Sequence, residues 1–300
     1  MSDAAADRTS ARAATPAPGR WLRDLIELTK PGVTRMCALT TAGGAWLAGA
    51  DLAQGLIAVL GASLAVASAS AFNMWWERAS DPLMARTRTR PLAAGRLDPR
   101  AAFGFASALA ALSLAVLALF ANLLTAGLAA LAIVLYVLVY TPLKRRTPLA
   151  LVIGAVPGAA PPLLGWTAVT GALDSGGLAL FAILLFWQMP HFLAITLFRK
   201  ADFARAGIRC VPVVRGDRVA KVQAILWSIG LVPVSLLPAL VGVAGPLYGA
   251  LAFLLSGVFL AWTLAGLRRT REVAWARSLF FASLVYLPAL IAALAVDAAL

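Results

Sequence analysis

Gln54–Arg90 reads QGLIAVLGASLAVASASAFNMWWERASDPLMARTRTR, an apolar run that turns abruptly polar at its end. About 20 apolar or small residues at 1.5 Å each cross a hydrocarbon core roughly 30 Å thick, so the run predicts a membrane-spanning helix. Its end carries Asn73, Glu77 and Asp81 at spacing i, i+4, i+8. On a helix these lie near one face, each about 6 Å further along the axis. Arg86, Thr87, Arg88 and Arg90 follow at once. Carboxylates beside a membrane are costly and persist where they are paired or functional. Next to arginines, such a face suits divalent cations and, through them, a phosphorylated substrate.

Similar runs recur on both sides of this one. Nine are expected, near 32–50, 54–74, 101–120, 122–141, 149–169, 177–198, 221–242, 245–266 and 276–297. Hydrophobic residues make up 61% of the 300, charged ones 13%, and mean hydropathy is +0.86, outside the soluble range. A chain in lipid must satisfy its backbone internally. Helices do so, whereas a barrel would show short alternating strands. The fold expected is all-α: a polytopic membrane protein with nine transmembrane helices.

The net charge of +13 would suggest nucleic acid in a soluble protein. Its distribution says otherwise. All 26 Lys and Arg residues fall in five groups: up to Arg35, then 78–100, 144–146, 199–221 and 268–277. The connections near 51, 121, 170–176 and 243–246 hold none, and Asp51, Asp174 and Asp297 lie at that other face. This alternation fits the positive-inside rule with an odd number of spans: N-terminus cytoplasmic, C-terminus outside. Most of these arginines are then accounted for by topology alone.

Residues 1–20, rich in Ala, Ser, Thr, Pro and Arg, read as a disordered cytoplasmic tail ahead of a membrane domain over 21–300. They lack the apolar core of a secretory signal. Trp21–Lys30 has a rough apolar stripe (Trp21, Leu22, Leu25, Ile26 and Leu28) and predicts a helix lying on the membrane surface. Cys37 and Cys210 are too few for a metal cluster. No Gly-rich phosphate loop, zinc-binding His pair or serine-nucleophile elbow is present.

Two further polar groups approach the basic face. One runs through Trp187, Gln188, Pro190 and His191 to Arg199, Lys200, Asp202 and Arg205; the other is Tyr136, Tyr140, Lys144, Arg145 and Arg146. Convergence of all three groups on one cavity is the expectation. The bland alternative pairs Glu77 and Asp81 with their neighbours Arg78 and Arg86 at the interface. His191, the one histidine, is read either as a functional contact or as a helix-packing residue. Trp residues near span ends are read as interfacial anchors.

The quoted motif, Asn73-Met-Trp-Trp-Glu77-Arg-Ala-Ser-Asp81 through Arg90-Pro91, resembles the first aspartate-rich motif of the intramembrane (UbiA) prenyltransferase superfamily. Its Asp81-x-x-Met84-x-Arg86-Thr87 tail most resembles the protoheme IX farnesyltransferase branch. Leu28-Thr-Lys30-Pro31-Gly-Val-Thr34 is similar to the opening of the family's first helix. Lys144–Gly154 through Ala159–Gly171 looks like its fourth-to-fifth-helix region. Pro190-His191-Phe192, Asp202–Gly207 and Pro212-Val213 look like its second motif.

The resemblance implies a ring of nine helices around a central cavity capped by cytoplasmic loops. It implies transfer of a farnesyl group from farnesyl diphosphate to a vinyl group of heme B, with water addition, giving heme O and diphosphate. Heme O would pass to heme A synthase or to terminal oxidase assembly, and the setting would be the cell inner membrane. Asn73, Glu77, Asp81 and Asp202 would be the catalytic and Mg²⁺-binding residues. Arg86, Arg90, Lys30, Arg199 and Lys200 would hold the diphosphate, and His191 would contact heme.

This chain departs from the family at several points. Glu77 stands where the family usually has Asp. Ala206 stands four after Asp202, where quinone-pathway relatives have a second Asp. Phe203 replaces a usual Tyr, and an asparagine common near Ala150 is missing. A prenyltransferase acting on an aromatic, quinone-type ring is the alternative within the enzyme class. A cation transporter is the alternative outside it, although no charge is left at mid-membrane to line a pathway.

Overall fold

A computed structural model of the chain describes residues 18–268 and 272–298. Residues 1–17 of the expected tail and residues 269–271 of the last basic connection lie outside it. Pro18–Arg20, assigned to the tail from sequence, instead open the first helix, because Pro is well suited to a first helical turn.

The described residues form helices throughout. α1 (Pro18–Leu28) precedes α2 (Pro31–Leu47), α3 (Leu52–Glu77), α4 (Pro99–Phe120) and α5 (Leu123–Val134). A π-helical stretch, Leu135–Tyr140, joins α5 to the short α6 (Thr141–Leu143). α7 (Ala150–Thr170), α8 (Ser175–Phe198) and two short helices, α9 (Lys200–Arg205) and α10 (Val211–Val214), come next. α11 (Asp217–Leu240), α12 (Pro246–Leu264) and α13 (Glu272–Asp297) complete the bundle. Eight helical segments among the described residues are long and apolar enough to cross a membrane, counting Leu123–Leu143 as one. The first expected span is the shorter α2, 17 residues or about 25 Å of helix.

α7 lies against α2, α3, α5 and α8, and α8 in turn packs on α11 and α13. Small residues make these contacts close. A Cβ added to Gly44 would meet the Pro162 carbonyl, and one on Gly165 would meet the Thr41 carbonyl, so α2 and α7 approach backbone to backbone. Large apolar side chains face outward instead, as at Leu60, Leu112, Leu226, Phe253 and Phe281. That inversion fits lipid as the surrounding solvent, where burying Leu gives no hydrophobic gain. Buried hydroxyls are satisfied by neighbouring backbone: Ser68 donates to the Ala106 carbonyl at 2.9 Å and Ser113 to that of Gly61 at 2.7 Å.

α1 divides its apolar stripe between an exposed side and a packed side. Trp21, Leu22 and Ile26 are exposed, while Leu25 and Leu28 are buried with Met74, Leu92 and Leu97. Arg96 then clamps the helix from the loop before α4, reaching Asp24 at 2.9 Å and Glu27 at 3.1 Å.

Candidate active site

α3 delivers Asn73, Glu77 and, through the turn Asp81–Leu83, Asp81 to the basic face, and all three are buried. Each is met by a cation from another segment or from further along its own loop. Lys30 Nζ donates to Asn73 Oδ1 at 2.7 Å. Lys144 forms an ion pair with Glu77. Arg90 Nη1 lies 2.8 Å from Asp81 Oδ2. The sequence-local pairs do not form: Arg78 turns back over the Trp75 ring at 4.7 Å and donates to the Trp75 carbonyl. Arg86 is left among Asp81, Asp202, Arg90 and Arg199.

Local backbone explains how Lys30 and Asn73 are held. Lys30 adopts φ 49°, ψ 68°, the left-handed region, immediately before Pro31. A residue preceding proline is disfavoured in the right-handed helical region. The left-handed state of a non-glycine residue costs on the order of 1–3 kcal/mol, and such outliers cluster at functional sites. Asn73 Nδ2 donates at 3.2 Å to Thr141 Oγ1, whose own proton goes to the Tyr136 carbonyl at 2.8 Å. That bond closes the π-helical stretch 135–140, which brings Tyr140 against the bare backbone of Gly154. π-Helical turns often mark functional positions.

The three polar groups touch through their loop residues. Met84 from the first motif packs with Phe203, Ala206 and Ile208 from the second. The Arg209 N–H donates to the Lys144 carbonyl at 2.9 Å, linking the second group to the third. Phe203 therefore fills an apolar contact that asks for no hydroxyl. Asp202 faces Arg199 at 3.7 Å and also pairs with Arg205. Lys200 is engaged elsewhere, 2.8 Å from Asp217.

Electrostatically the site is short of negative charge. Burial, with the nearby charges of Arg90 and Arg86, lowers the Lys30 ammonium to about 7 against the pull of Asp81. Burial and the charges of Arg90 and Arg199 also lower Arg86. Asp81 Oδ1 is buried without a hydrogen-bond partner. An unmatched carboxylate oxygen beside crowded cations is an arrangement that a cation and a polyanion together would complete. Among the described residues no group of three or more His, Cys, Asp or Glu forms a metal cage.

An apolar groove lies within the bundle, lined by Thr40, Gly44, Pro162, Leu184, Leu287 and Ile291 among others. It separates α2 from α13. His191 lies on α8, buried against α13, where its Nδ1 is 2.7 Å from Ser283 Oγ.

Residues 37–285 match the model of the UbiA prenyltransferase family. The chain belongs to that family. This UbiA-family chain is 49% identical to a protoheme IX farnesyltransferase of Myxococcus xanthus over 91% of its own length and 94% of the relative's. It is 46% identical to one from Anaeromyxobacter sp., with coverage of 95% and 97%. Among solved structures, a digeranylgeranylglyceryl phosphate synthase superposes with TM-score 0.78 at 18% identity, covering 93% of this chain and 99% of that one. A UbiA homologue from Archaeoglobus fulgidus bound to GPP and Mg²⁺ gives TM-score 0.63 at 19% identity, covering 91% and 99%. These structures establish the UbiA fold for the bundle.

Sequence reasoning put Lys144 in a group expected to reach the cavity but gave it no role there, and it missed Thr141. Lys144 sat in a basic cluster that topology alone explained, and Thr141 had no charge to draw notice. Only the π-helical turn, which carries no sequence signal, sets them beside Glu77 and Asn73.

Proposed function

We propose that this chain transfers the farnesyl group of farnesyl diphosphate to a vinyl group of protoheme IX, with addition of water and release of diphosphate. The observation that carries the reading is the buried Asn73–Glu77–Asp81 face ringed by Lys30, Lys144, Arg86 and Arg90. The acceptor is supported by the relatives at 49% and 46% identity, both named for protoheme IX and the farnesyl group.

The chemistry balances as follows. The C1–O bond of farnesyl diphosphate breaks, and both electrons leave on the diphosphate. The π electrons of the vinyl group form the new carbon–carbon bond to farnesyl C1. Water adds to the cation left beside the porphyrin ring, and loss of one proton leaves a hydroxyl. Lys30, Arg86, Arg90 and Lys144 bind the diphosphate and stabilise the charge it acquires as it departs. Arg199 stands beside Asp202 at the edge of this group, whereas Lys200, held by Asp217, contributes less.

Asn73, Glu77 and Asp81 are the oxygen donors that would hold Mg²⁺, with Asp202 for a second ion. Few protein oxygens, with water and phosphate completing the shell, suit this ion, and the unmatched Asp81 Oδ1 fits it. When bound, Mg²⁺ supplies neutralising charge on the departing diphosphate oxygens. The apolar groove suits an isoprenoid chain that partitions from lipid. The basic face is cytoplasmic, the last helix ends outside, and the membrane is the cell inner membrane. Heme A synthase or terminal oxidase assembly would take the product.

The test is incubation of the purified protein with protoheme IX, farnesyl diphosphate and Mg²⁺, followed by mass analysis of the heme. A product heavier by a farnesyl group and one hydroxyl is expected. Prenylation of a quinone precursor with protoheme left unchanged would replace the acceptor.

A further inference from the structure

His191 is the one histidine in the chain, and its surroundings restrict it more than packing requires. The rings of Trp187 and Phe280 lie against the imidazole at 5.0 and 4.8 Å, inclined by 23° and 32°. Phe192 approaches at 5.7 Å. These contacts are aromatic, and the hydrogen-bond partner is a hydroxyl, a setting for neutral imidazole.

The direction of that hydrogen bond can be deduced. Ser283 has one hydroxyl proton, and its Oγ lies 2.6 Å from the Phe280 carbonyl, which can only accept. With that proton on the carbonyl, Ser283 Oγ accepts from His191, which places the imidazole proton on Nδ1. A neutral imidazole protonated at Nδ1 presents a bare lone pair at Nε2. That nitrogen makes no hydrogen bond among the described residues. The indole Nε1–H of Trp187 donates to the Ser283 carbonyl at 2.8 Å, so the same turn of α13 is tied to α8 twice.

We propose that Ser283 is a positioning residue that holds His191 in its Nδ1–H form, so that Nε2 ligates the iron of the porphyrin substrate. This rests on the reading of that substrate as protoheme. A histidine meant to donate to a porphyrin carboxylate would need its proton on Nε2, and Ser283 would then have to give its own proton to Nδ1. The bond to the Phe280 carbonyl already uses that proton. Ser283 thus selects iron over a propionate as the partner of His191. It also gives the site a way to tell protoheme from an iron-free porphyrin of the same shape.

The lone histidine makes the test direct. Full-length protein without a polyhistidine tag, labelled with ¹⁵N-histidine, carries one labelled imidazole. Nitrogen resonances should show the proton on Nδ1, with no variant needed. Ferric protoheme IX should perturb or broaden the Nε2 signal, and iron-free protoporphyrin IX should leave it in place. Ser283→Ala should mix the two tautomers and weaken protoheme binding by about tenfold or more, the usual effect of losing a ligand's outer partner. Its affinity for protoporphyrin IX should hold, and Ser283→Thr, which keeps the hydroxyl, should restore protoheme binding.

A proton on Nε2 in the native protein overturns the proposal. So does a Ser283→Ala protein that binds protoheme as tightly as the native one. Both readouts report structure and binding alone. Ligation through Nε2 without any farnesylated product would refute the transfer reading and leave this one standing.

Discussion

At the end of the bundle that lacks basic residues, the acids cap helices. Asp51 accepts from the Gln54 N–H, Asp174 from those of Gly176 and Gly177, and Asp297 from those of Gly245 and Tyr248. At the other end, Asp24, Glu27, Glu77, Asp81, Asp202, Asp217 and Glu272 all meet Lys or Arg, and Asp98 is the described acid that caps a helix there. The difference lies in what each carboxylate has to satisfy. A helix start offers unpaired N–H groups within its own first turn, and a cap there is worth about 1 kcal/mol. A buried carboxylate on the basic face needs a full opposite charge. Removing one partner of such a pair costs roughly 3–5 kcal/mol. One end holds helices together, while the other stores charge where an anion can use it.

Variants at the two ends should separate these roles. The largest effect belongs to Asp81→Ala, which should reduce farnesyl transfer by at least about a hundredfold while the protein stays folded in membranes. Normal turnover in that variant would remove Asp81 from the site. Chelation of divalent metal from the purified enzyme should stop transfer, with recovery on adding Mg²⁺; full activity after chelation would mean that Lys and Arg alone carry the diphosphate. Lys144→Met should raise KM for farnesyl diphosphate by about tenfold, the scale of one charge-assisted hydrogen bond. An unchanged KM would make Lys144 a mere counter-ion for Glu77.

Asp174→Ala, at the opposite end, should lower stability by about 1 kcal/mol and leave turnover per folded molecule intact. A loss of turnover there would erase the contrast between the ends. The smallest change is expected for Glu77→Asp, which keeps the charge and removes one methylene. Its transfer rate should stay within a few-fold of native, and complete inactivation would show that the longer side chain is needed to reach Lys144.

The long helices were legible because lipid leaves few options: each run of apolar residues must satisfy its own backbone. The first expected span, 32–50, corresponds to the shorter α2, since Ala48, Gly49 and Ala50 are apolar and yet form the turn before α3. The site was legible in its α3 face, where helical spacing aligns Asn73 and Glu77, although Asp81 reaches it through a separate turn after the helix ends. Its ion pairs were not. Arg78 and Arg86 are the nearest cations in sequence, but Lys144 and Arg90 take the carboxylates because loop geometry outranks proximity along the chain. The His191–Ser283 contact joins residues 92 apart, and no pattern in either segment announces it.

Sequence by itself determined the membrane setting, the basic face, the helical register of the α3 motif and the family. These follow from composition and from short-range periodicity, which solvent and backbone geometry impose locally. Tertiary structure alone decided which cation meets which carboxylate, how a π-helical turn fixes Asn73, and which hydroxyl meets His191 Nδ1. Those choices depend on hydrogen bonds between helices far apart in the chain, where angstrom-scale placement selects the partner.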